Sequence, residues 1–586
     1  MAALEGDKGN EDENDIGPMN DERKKDTKLD RGDDGDSESD SDEEDEDAYR
    51  LRVYGTTSQT DPVRSSFSGS MKRFSKRLST RVSDSLMRRR SSLAESLPDT
   101  PTGWMVLSCV IMSAILAHEV RLQKSLTKPP VTFCQLPPGG YMEKIYKQLT
   151  EDPYQGNNKR STPTKILSRT IQPSLFVGTR GMISSTAAYL GRGPSSRINF
   201  LRFRELFATS QDGARLAIDW EVREDNDETK NLRQDILNGP IRKPVVLILH
   251  GINNDASFGY MKSLSRSFCS RGYISASMNF RGCGHVKLCT PRGYNAAYTG
   301  DLRSVVNQIS ARLDKDVSIF LVGNSLGANI MTKYLGEEGR CGTLPSCIAG
   351  GASLGNPLLI DSSIVKFPFN ILMALGVKKI YLENLKQIRS MNDAHSQHIL
   401  KKGFMAPTIA QFDDAVAPTF VRNNPYYPFE TRVGYEDGEA YWFDSSSYRY
   451  VKHIPVPFLN LSAQDDFLVS KPSRNKLGFC LANPNVMVVE TRCGGHLGWH
   501  ETPPDSAFGA SSWADTAVSD FFDAILKIDS ESTSEVRGEK RNFPSTDSSK
   551  SGWTEVSNWK RKHMQANLKK VKAEALAFAK SSKSRL

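Results

Sequence analysis

The chain has 586 residues, 38% of them hydrophobic and 25% charged, so it is long enough for one large folded domain with further segments attached. Its nine cysteines are odd in number and scattered without a C-x-x-C pair, which argues against a zinc site and against a disulfide framework. The net charge of +8 hides an uneven distribution along the chain.

The first hundred residues have the composition of a disordered segment. Residues 1–50 hold 21 acidic side chains against 7 basic ones, and residues 51–90 hold 10 basic against 2 acidic. Neither stretch has enough apolar residues to offset the entropy lost on folding. We therefore predict that residues 1–100 form a disordered region, acidic at first and then basic.

An uncharged, apolar stretch follows at Gly103–Ala117, with the sequence GWMVLSCVIMSAILA. It is shorter than the ~20 residues that a spanning helix needs. It comes directly after the basic stretch, however, as a membrane anchor with a positive cytosolic flank does. The sequence therefore predicts a membrane-anchoring segment at 101–120, with a helix that packs against the protein as the alternative.

From residue 200 to 528 the chain alternates short apolar runs with amphipathic stretches. The apolar runs are rich in β-branched residues, and they are Val245–Leu249, Ile274–Asn279, Ser318–Val322, Cys347–Ala352, Pro457–Ser462 and Val486–Thr491. Helix-like stretches lie between several of them, at 257–270, 300–313, 326–338 and 512–527. This alternation predicts a mostly parallel sheet with helices on both faces. An antiparallel hairpin is predicted before this alternation, because a turn-forming Asp-Gly pair lies between Phe203–Ala208 and Ala214–Glu221. A hairpin that leads into a parallel sheet is the layout of the α/β-hydrolase fold.

The interval 355–450 interrupts this alternation and is rich in Pro, Tyr and Phe. Because a structureless loop of that length is uncommon inside a compact domain, we predict a mostly helical cap over the strand ends. The predicted organisation is thus an α/β-hydrolase domain at 200–528 with its cap at about 355–450. A polar and basic tail follows at 529–586.

Gly323-Asn324-Ser325-Leu326-Gly327 lies between the predicted strand SIFLV and a predicted helix. In this setting G-x-S-x-G is the signature of a nucleophile elbow, a turn too tight for side chains at its flanking glycines. The turn lifts the serine hydroxyl above the sheet edge and directs a helix start towards the reacting carbonyl. Ser325 is therefore the predicted nucleophile, and an ordinary N-capping serine is the alternative.

A serine nucleophile needs a base and an acid that orients the base. Of nine histidines, His496 lies in CGGHLG, directly after the last predicted strand and before the final helix, where this fold positions its histidine. The acid should follow the strand PFLNLS, where Asp465 and Asp466 are adjacent. Asp466 fits D-x-x-V with Val469, so we predict the triad Ser325–Asp466–His496, with Asp465 as the alternative acid.

Two backbone N–H groups are needed to stabilise the oxyanion of the tetrahedral intermediate. The sequence predicts them at Leu326, after the nucleophile, and at Ile252, in the loop HGINN after VVLIL. His250 and Asp255 also spell H-x-x-x-x-D, a spacing found in some acyltransferases. A His-Gly pair here is already explained by the oxyanion loop.

These features resemble the YheT-like branch of the α/β-hydrolases, which includes plant embryogenesis-associated proteins and membrane-anchored α/β-hydrolase-domain lipases. The similarity spans about 203–525. It rests on DGARLAIDW (212–220), VVLILHG (245–251), NFRGCG (279–284), YTGDL (298–302), VGNSLGAN (322–329), QFDD (411–414), PFLNLSAQDD (457–466) and GGHLGW (494–499). Two positions depart from the family pattern: His285 replaces its usual glycine, and Phe467 replaces its usual proline.

The resemblance implies a serine carboxylic-ester hydrolase, a lipase or esterase that acts on glycerolipid or other acyl esters through Ser325, Asp466 and His496. An acyltransferase with the same acyl-enzyme is the alternative, and a non-catalytic binding protein is a third interpretation. We expect no cofactor, no metal and no nucleic-acid partner. The expected partners are an acyl-ester, lipid-like substrate and a membrane surface.

The C-terminal tail carries two further signals. Residues 559–586 hold nine bases and one acid, with an apolar stripe at helical spacing formed by Met564, Leu568, Val571, Ala575 and Phe578. This pattern predicts an amphipathic helix on an anionic membrane surface, with a solvated, partly helical tail as the alternative. The last residues, Ser584-Arg585-Leu586, resemble the peroxisomal S-K-L signal. We therefore predict a membrane-associated enzyme, facing the cytosol or on an endomembrane, with the peroxisome as the alternative location.

Overall fold

The computed structural model describes residues 101–531, except 153–162, 192–198, 210–211, 225–227, 291, 392, 424–430, 470–475 and 503–510. The predicted disordered region of 1–100 lies outside these residues, as do the amphipathic stripe of the tail and its last three residues. The described residues from Met105 onwards belong to one compact unit.

A nine-stranded sheet forms the centre of the described part of the chain. Its strands are β1 (Val131–Cys134), β2 (Phe200–Ala208), β3 (Arg215–Arg223), β4 (Val245–Leu249), β5 (Ile274–Asn279), β6 (Ile319–Asn324), β7 (Ile348–Leu354), β10 (Phe458–Ala463) and β11 (Val486–Thr491). Their spatial order is β1-β11-β10-β7-β6-β4-β5-β3-β2. The pairs among β4, β5, β6, β7, β10 and β11 are parallel, whereas β1, β2 and β3 pair antiparallel. The mostly parallel sheet and the hairpin predicted from sequence are therefore confirmed.

Helices and short strands connect the strands of this sheet. The helices are α1 (Pro101–Leu126), α2 (Tyr141–Thr150), α3 (Gly181–Leu190), α4 (Glu228–Asn238), α5 (Gly259–Ser270), α6 (Gly300–Ser310), α7 (Leu326–Cys341), α8 (Phe369–Glu383), α9 (Leu385–Met391), α10 (Ala394–Lys401), α11 (Ile409–Val416), α12 (Gly438–Ser445), α13 (Leu477–Cys480) and α14 (Trp513–Ser530). Two small antiparallel pairs are β8 (Val421–Asn423) with β9 (Thr431–Val433), and β12 (His500–Glu501) with β13 (Ser511–Ser512).

Strand β4 shows why the central strands are apolar at every position. Val245, Leu247 and Leu249 point into one core, which includes residues of α6 and α7. Val246 and Ile248 point into the other core, which includes residues of α5 and α14. Because successive side chains of a strand face opposite ways, a sheet covered on both sides buries every residue of such a run. Each fully buried aliphatic side chain contributes about 1.5–3 kcal/mol to folding.

The sheet begins earlier in the chain than the domain of 200–528 that the sequence predicts. Strand β1 pairs with β11 at the edge of the sheet. Helix α2 packs against α14, and the hydroxyl of Tyr141 donates to Asp529 at the end of α14 at 2.8 Å. A four-residue strand has too short an alternation to be recognised from sequence.

The interval 355–450 is mostly helical, as predicted, and contains α8 to α12 together with the β8–β9 pair. Met373, Val377 and Ile380 of α8 face a cavity above the carboxyl ends of the strands. The outer side of the same helix exposes Leu372 and Leu375. Helix α8 is thus apolar on both sides and separates the cavity from the surface.

Helix α1 extends well beyond the predicted apolar stretch. In its first part the side chains are exposed, with Met105, Val110 and Met112 each about 60% accessible. By length and composition, Trp104–Leu126 is long and apolar enough to cross a membrane. Its last turns contact the protein, because Glu119 forms an ion pair with Arg180, and Gln123 donates to the carbonyl of Pro173 at 2.7 Å.

Candidate active site

Ser325 lies in a sharp turn between β6 and α7. Its backbone has φ 53° and ψ −116°, a conformation that side-chain-bearing residues rarely adopt and that costs about 1–3 kcal/mol. Close contacts require the flanking glycines: a Cβ on Gly323 would lie 2.4 Å from Cα of Ala328, and a Cβ on Gly327 would lie 2.5 Å from the carbonyl oxygen of His250. The predicted elbow is therefore the conformation that this segment adopts.

Three of the predicted site residues meet above the carboxyl ends of the strands. Nε2 of His496 lies 2.8 Å from Oγ of Ser325, and Nδ1 of His496 lies 2.8 Å from Oδ2 of Asp466. His496 and Asp466 are buried, whereas Ser325 is partly accessible. The three side chains thus form one continuous chain of hydrogen bonds that ends at a hydroxyl reachable from the cavity.

The two adjacent aspartates have different partners. Oδ1 of Asp466 accepts from the N–H groups of Leu468 and Val469, while its other oxygen faces His496. Burial alone would raise the pKa of Asp466, but the charge and hydrogen bond of His496 and these N–H groups hold it below its ordinary value. Asp465 instead accepts from the N–H of Gly495, and burial raises its pKa to about 6. Asp466 is therefore the acid in contact with the histidine ring.

The two N–H groups predicted for the oxyanion border the same cavity. In the loop after β4, the N–H of Gly251 donates to Tyr260 and that of Asn253 donates to Tyr294. Among the described residues, no acceptor is found for the N–H of Ile252 between them, nor for that of Leu326 at the start of α7. Ile252, Leu326 and Ser325 all line the cavity. Two donors therefore remain available near the hydroxyl.

His250 has no free ring nitrogen. Its Nε2 accepts from the N–H of Phe280 at 3.1 Å, so its Nδ1 carries the proton and donates to the carbonyl of Gly251 at 2.7 Å. Burial lowers the pKa of His250 to about 4, which keeps the ring neutral. Asp255, the other member of H-x-x-x-x-D, accepts from the N–H of Ser257. The pair thus stabilises the loop after β4, and His250 is not placed to act as a base.

The histidine loop is supported by a residue that no sequence pattern indicates. Oγ of Ser185 in α3 accepts from the N–H of His496 at 2.7 Å and donates to the carbonyl of Gly181 at 2.7 Å. In the same helix, Ser184 contacts Nδ1 of His500 at 2.9 Å. His500 is therefore a half-buried partner of α3, and among the described residues no hydrogen bond from its ring to the triad is found.

The cavity beside Ser325 has a volume of about 120 Å³ and is lined mainly by apolar side chains of the cap. Its walls come from α8, α11 and α12, together with the loop after β4 and the turn at Leu468 and Val469. A carboxyl group, that of Asp413, also belongs to the lining. An apolar cavity of this kind suits an acyl chain.

The structure shows the backbone conformation of His285 and the packing of Phe467, the two residues that depart from the family pattern. His285 adopts φ 64°, in the left-handed region where glycine is favoured, which explains why the family has glycine there. Phe467 packs its ring against Phe369 of the cap at 5.0 Å. No group of three His, Cys, Asp or Glu side chains that could hold a metal ion is found among the described residues.

This fold and this arrangement of side chains define a class of protein, the serine hydrolases of the α/β-hydrolase fold. Comparison with known proteins agrees. The family described as serine aminopeptidase, S33, matches residues 240–399, a range that includes Ser325 and part of the cap. The chain is therefore an α/β-hydrolase and a serine hydrolase.

Several curated proteins are similar to this chain over part of their length. The embryogenesis-associated protein EMB8 of Picea glauca is 28% identical over 60% of this chain and 72% of its own length. A monoacylglycerol lipase of Saccharomyces cerevisiae is 30% identical over 45% of this chain and 56% of its own length. The phospholipase ABHD3 of Bos taurus is 26% identical over 51% of this chain and 67% of its own length. The chain is thus similar in sequence to proteins described as an embryogenesis-associated protein, a monoacylglycerol lipase and a phospholipase.

Proposed function

We propose that the protein is a carboxylic-ester hydrolase that acts on lipid acyl esters, with Ser325 as nucleophile, His496 as base and Asp466 as the orienting acid. The observation that carries the proposal is the hydrogen-bond chain from Asp466 through His496 to Ser325, at 2.8 Å for both contacts. The apolar cavity next to the hydroxyl supports an acyl substrate. Relatives described as a monoacylglycerol lipase and a phospholipase support the lipid ester class.

In this mechanism His496 accepts the hydroxyl proton of Ser325 as the oxygen attacks the ester carbonyl. The negative charge that develops on the carbonyl oxygen is stabilised by the N–H groups of Ile252 and Leu326. His496 then returns the proton to the leaving alcohol, and an acyl-enzyme remains on Ser325. A water molecule, deprotonated by His496, releases the fatty acid and restores the serine. Asp466 stabilises the positively charged ring in both half-reactions.

Substitution of the nucleophile tests this proposal. Ser325→Ala should lower kcat by up to about 10⁶-fold and abolish labelling by a fluorophosphonate probe. Ser270→Ala is a matched control, because Ser270 is exposed at the end of α5 and its hydroxyl donates to the carbonyl of Ser267 in the same helix. Labelling that persists in Ser325→Ala would place the nucleophile elsewhere. Absence of labelling in the unaltered protein would support a non-catalytic binding protein instead.

Acyl transfer to an alcohol is a second candidate, since an alcohol in place of water would complete the same acyl-enzyme cycle. A relative in Saccharomyces cerevisiae, 25% identical over 48% of this chain and 62% of its own length, is described as a medium-chain fatty acid ethyl ester synthase/esterase. Product analysis with and without added alcohol distinguishes the two reactions. Free fatty acid as the main product in the presence of alcohol supports hydrolysis.

We further propose that the exposed part of α1 attaches the enzyme to a membrane. The fifteen residues of 103–117 extend about 22 Å as a helix, which is shorter than the ~30 Å hydrocarbon core. Serine substitutions at Val106, Val110 and Ile111 should reduce sedimentation of the full-length protein with liposomes, whereas Leu206→Ser, an exposed position on β2, should not. Equal sedimentation would contradict the anchor. Deletion of Ser584–Leu586 tests the peroxisomal alternative, which predicts a changed cellular distribution.

A further inference from the structure

One wall of the cavity beside Ser325 carries a carboxyl group that the proposed mechanism does not use. Asp413, in α11, lines the cavity together with Phe412 and Tyr441. Its Oδ2 accepts from Nε1 of Trp442 at 3.3 Å, which is a long hydrogen bond. Within the described residues no other hydrogen bond or ion pair to this carboxyl group is found. A carboxyl group with so few hydrogen bonds inside an apolar cavity is unfavourable unless water or a ligand supplies the remaining ones.

Asp413 is half-buried and lines the cavity, so a molecule in the cavity can reach it. Burial raises the pKa of Asp413 to about 7, with the hydrogen bond from Trp442 acting in the opposite direction. The carboxyl group is therefore partly protonated near neutral pH, and a protonated carboxyl both donates and accepts hydrogen bonds.

The groups packed around Asp413 do not neutralise its charge. From α8, Tyr381 faces it, and from α12, Tyr441 does, with burial raising the pKa of each above its ordinary value. The ammonium of Lys378, also on α8, donates to the carbonyl of Ala406. The other acidic residue of the cavity wall is Asp361. No lysine or arginine is among the described residues that line the cavity.

We propose that Asp413 binds a free hydroxyl group of an uncharged lipid ester and so selects neutral, hydroxyl-bearing substrates. The inference rests on the proposed function, since it assigns the substrate class of the same cavity. The hydroxyl belongs either to the alcohol part of the ester, as in a monoacylglycerol, or to its acyl chain. A hydroxyl supplies the donor and the acceptor that the carboxyl group lacks.

The charge of the cavity argues against a phospholipid as the preferred substrate. A phosphodiester is anionic, and proteins bind phosphate groups mainly with arginine, lysine or free N–H groups. The cavity wall offers two carboxyl groups and, among its described residues, no lysine or arginine side chain. A phosphate in this cavity would lose its water without gaining a counter-charge, which is costly in a low-dielectric site.

The proposal is tested by measuring kcat/KM of the full-length protein on four esters that share one acyl length. These are monododecanoylglycerol, ethyl dodecanoate, ethyl ω-hydroxydodecanoate and dodecanoyl lysophosphatidylcholine. Asp413→Leu should lower kcat/KM about 10- to 100-fold on the hydroxyl-bearing neutral ester that the unaltered protein prefers, and less than about threefold on ethyl dodecanoate. Asp413→Asn should restore most of the loss, because an amide also binds a hydroxyl. The ester that shows the effect identifies whether the hydroxyl lies on the alcohol or on the acyl chain.

Asp414→Asn is the matched control, since this neighbouring acid accepts from the N–H of Gly438 and does not line the cavity. An equal loss on all neutral esters in Asp413→Leu would overturn the proposal and leave Asp413 a structural partner of Trp442. Preference of the unaltered protein for the lysophospholipid would overturn it as well. Fluorophosphonate labelling of Ser325 at the unaltered rate in Asp413→Leu separates these results from a failure of the proposed triad.

A pH series provides a second measurement, and it needs only the unaltered protein and Asp413→Asn. As pH rises through about 7, Asp413 loses its proton and becomes a charged acceptor, which favours a hydroxyl and disfavours an apolar group. The ratio of kcat/KM for the hydroxyl-bearing ester to that for ethyl dodecanoate should therefore rise with pH in the unaltered protein. It should stay level in Asp413→Asn. Any change of activity with pH that is common to both substrates cancels in the ratio, so a ratio that responds equally to pH in both proteins would refute the role of Asp413.

Discussion

Asp466→Asn should lower kcat by about 10⁴-fold, because it changes the hydrogen bond that orients the ring of His496. In the native arrangement Oδ2 of Asp466 accepts the proton on Nδ1 of His496. An asparagine would present an amide donor to Nδ1 instead, and the ring would then carry its proton on Nε2, facing Ser325. With Nε2 protonated, His496 has no lone pair available to accept the hydroxyl proton.

The magnitude follows from which contacts survive the change. Oδ1 of Asp466 accepts from the N–H groups of Leu468 at 2.9 Å and Val469 at 3.0 Å, and the amide oxygen of an asparagine can keep both. The turn should therefore fold as before, and the loss should appear in the chemical step. A 10⁴-fold loss corresponds to about 5.4 kcal/mol of transition-state stabilisation, at about 1.36 kcal/mol for each factor of ten.

Asp465→Asn is the control, because it removes a neighbouring charge but keeps an oxygen for the N–H of Gly495. We expect a loss of less than about tenfold in this variant. The assay is kcat on a chromogenic short-chain ester, with the midpoint of thermal unfolding measured in parallel to confirm that both variants are folded. Equal losses in the two variants, or a larger loss in Asp465→Asn, would refute the assignment of Asp466.

Two further predictions concern residues outside the triad. Ser185→Ala leaves the buried N–H of His496 without its acceptor. It should therefore reduce the free energy of unfolding by about 1–3 kcal/mol and lower kcat. An unchanged denaturant unfolding curve would show that this hydrogen bond does not contribute to stability. Lys333→Met leaves the carboxylate of Asp444, 2.5 Å from the buried ammonium, without its counter-charge, so it should cost about 3–5 kcal/mol of unfolding free energy. Adding Asp444→Asn to Lys333→Met should recover part of that loss, and a purely additive result would argue against a coupled pair.

The sequence predicts those parts of the fold and of the site that depend on local patterns. The run at Val245–Leu249 is apolar throughout because both of its faces are buried, and this pattern is visible without a structure. The elbow at Ser325 is also predictable, since its glycines are required by contacts within the turn and the strand beside it. The spacing to Val469 distinguishes Asp466 from Asp465 as the acid, because the N–H of Val469 donates to the carboxylate of Asp466.

Other features depend on contacts between distant parts of the chain and have no local signal. Ser185 is 311 residues from His496 in sequence, and nothing in the surrounding GMISSTAAYL indicates a polar contact with a histidine loop. Asp413 belongs to the motif QFDD, which points to the family but not to a position in a cavity. Its environment is created by helices and loops that lie as far apart in the chain as Ile252 and His496.

The end of α1 has a consequence for how the proposed anchor can be exchanged or removed. Glu119 is buried against Thr179 and Arg180. These are the last two residues before α3, the helix that contains Ser185. A cut at residue 125 would therefore remove part of the support of the histidine loop along with the apolar segment. A soluble form of the enzyme should keep the helix from about residue 117 onwards, and a foreign anchor should be joined in helical register with Glu119. In this protein the boundary between the proposed anchor and the enzyme falls within one continuous helix.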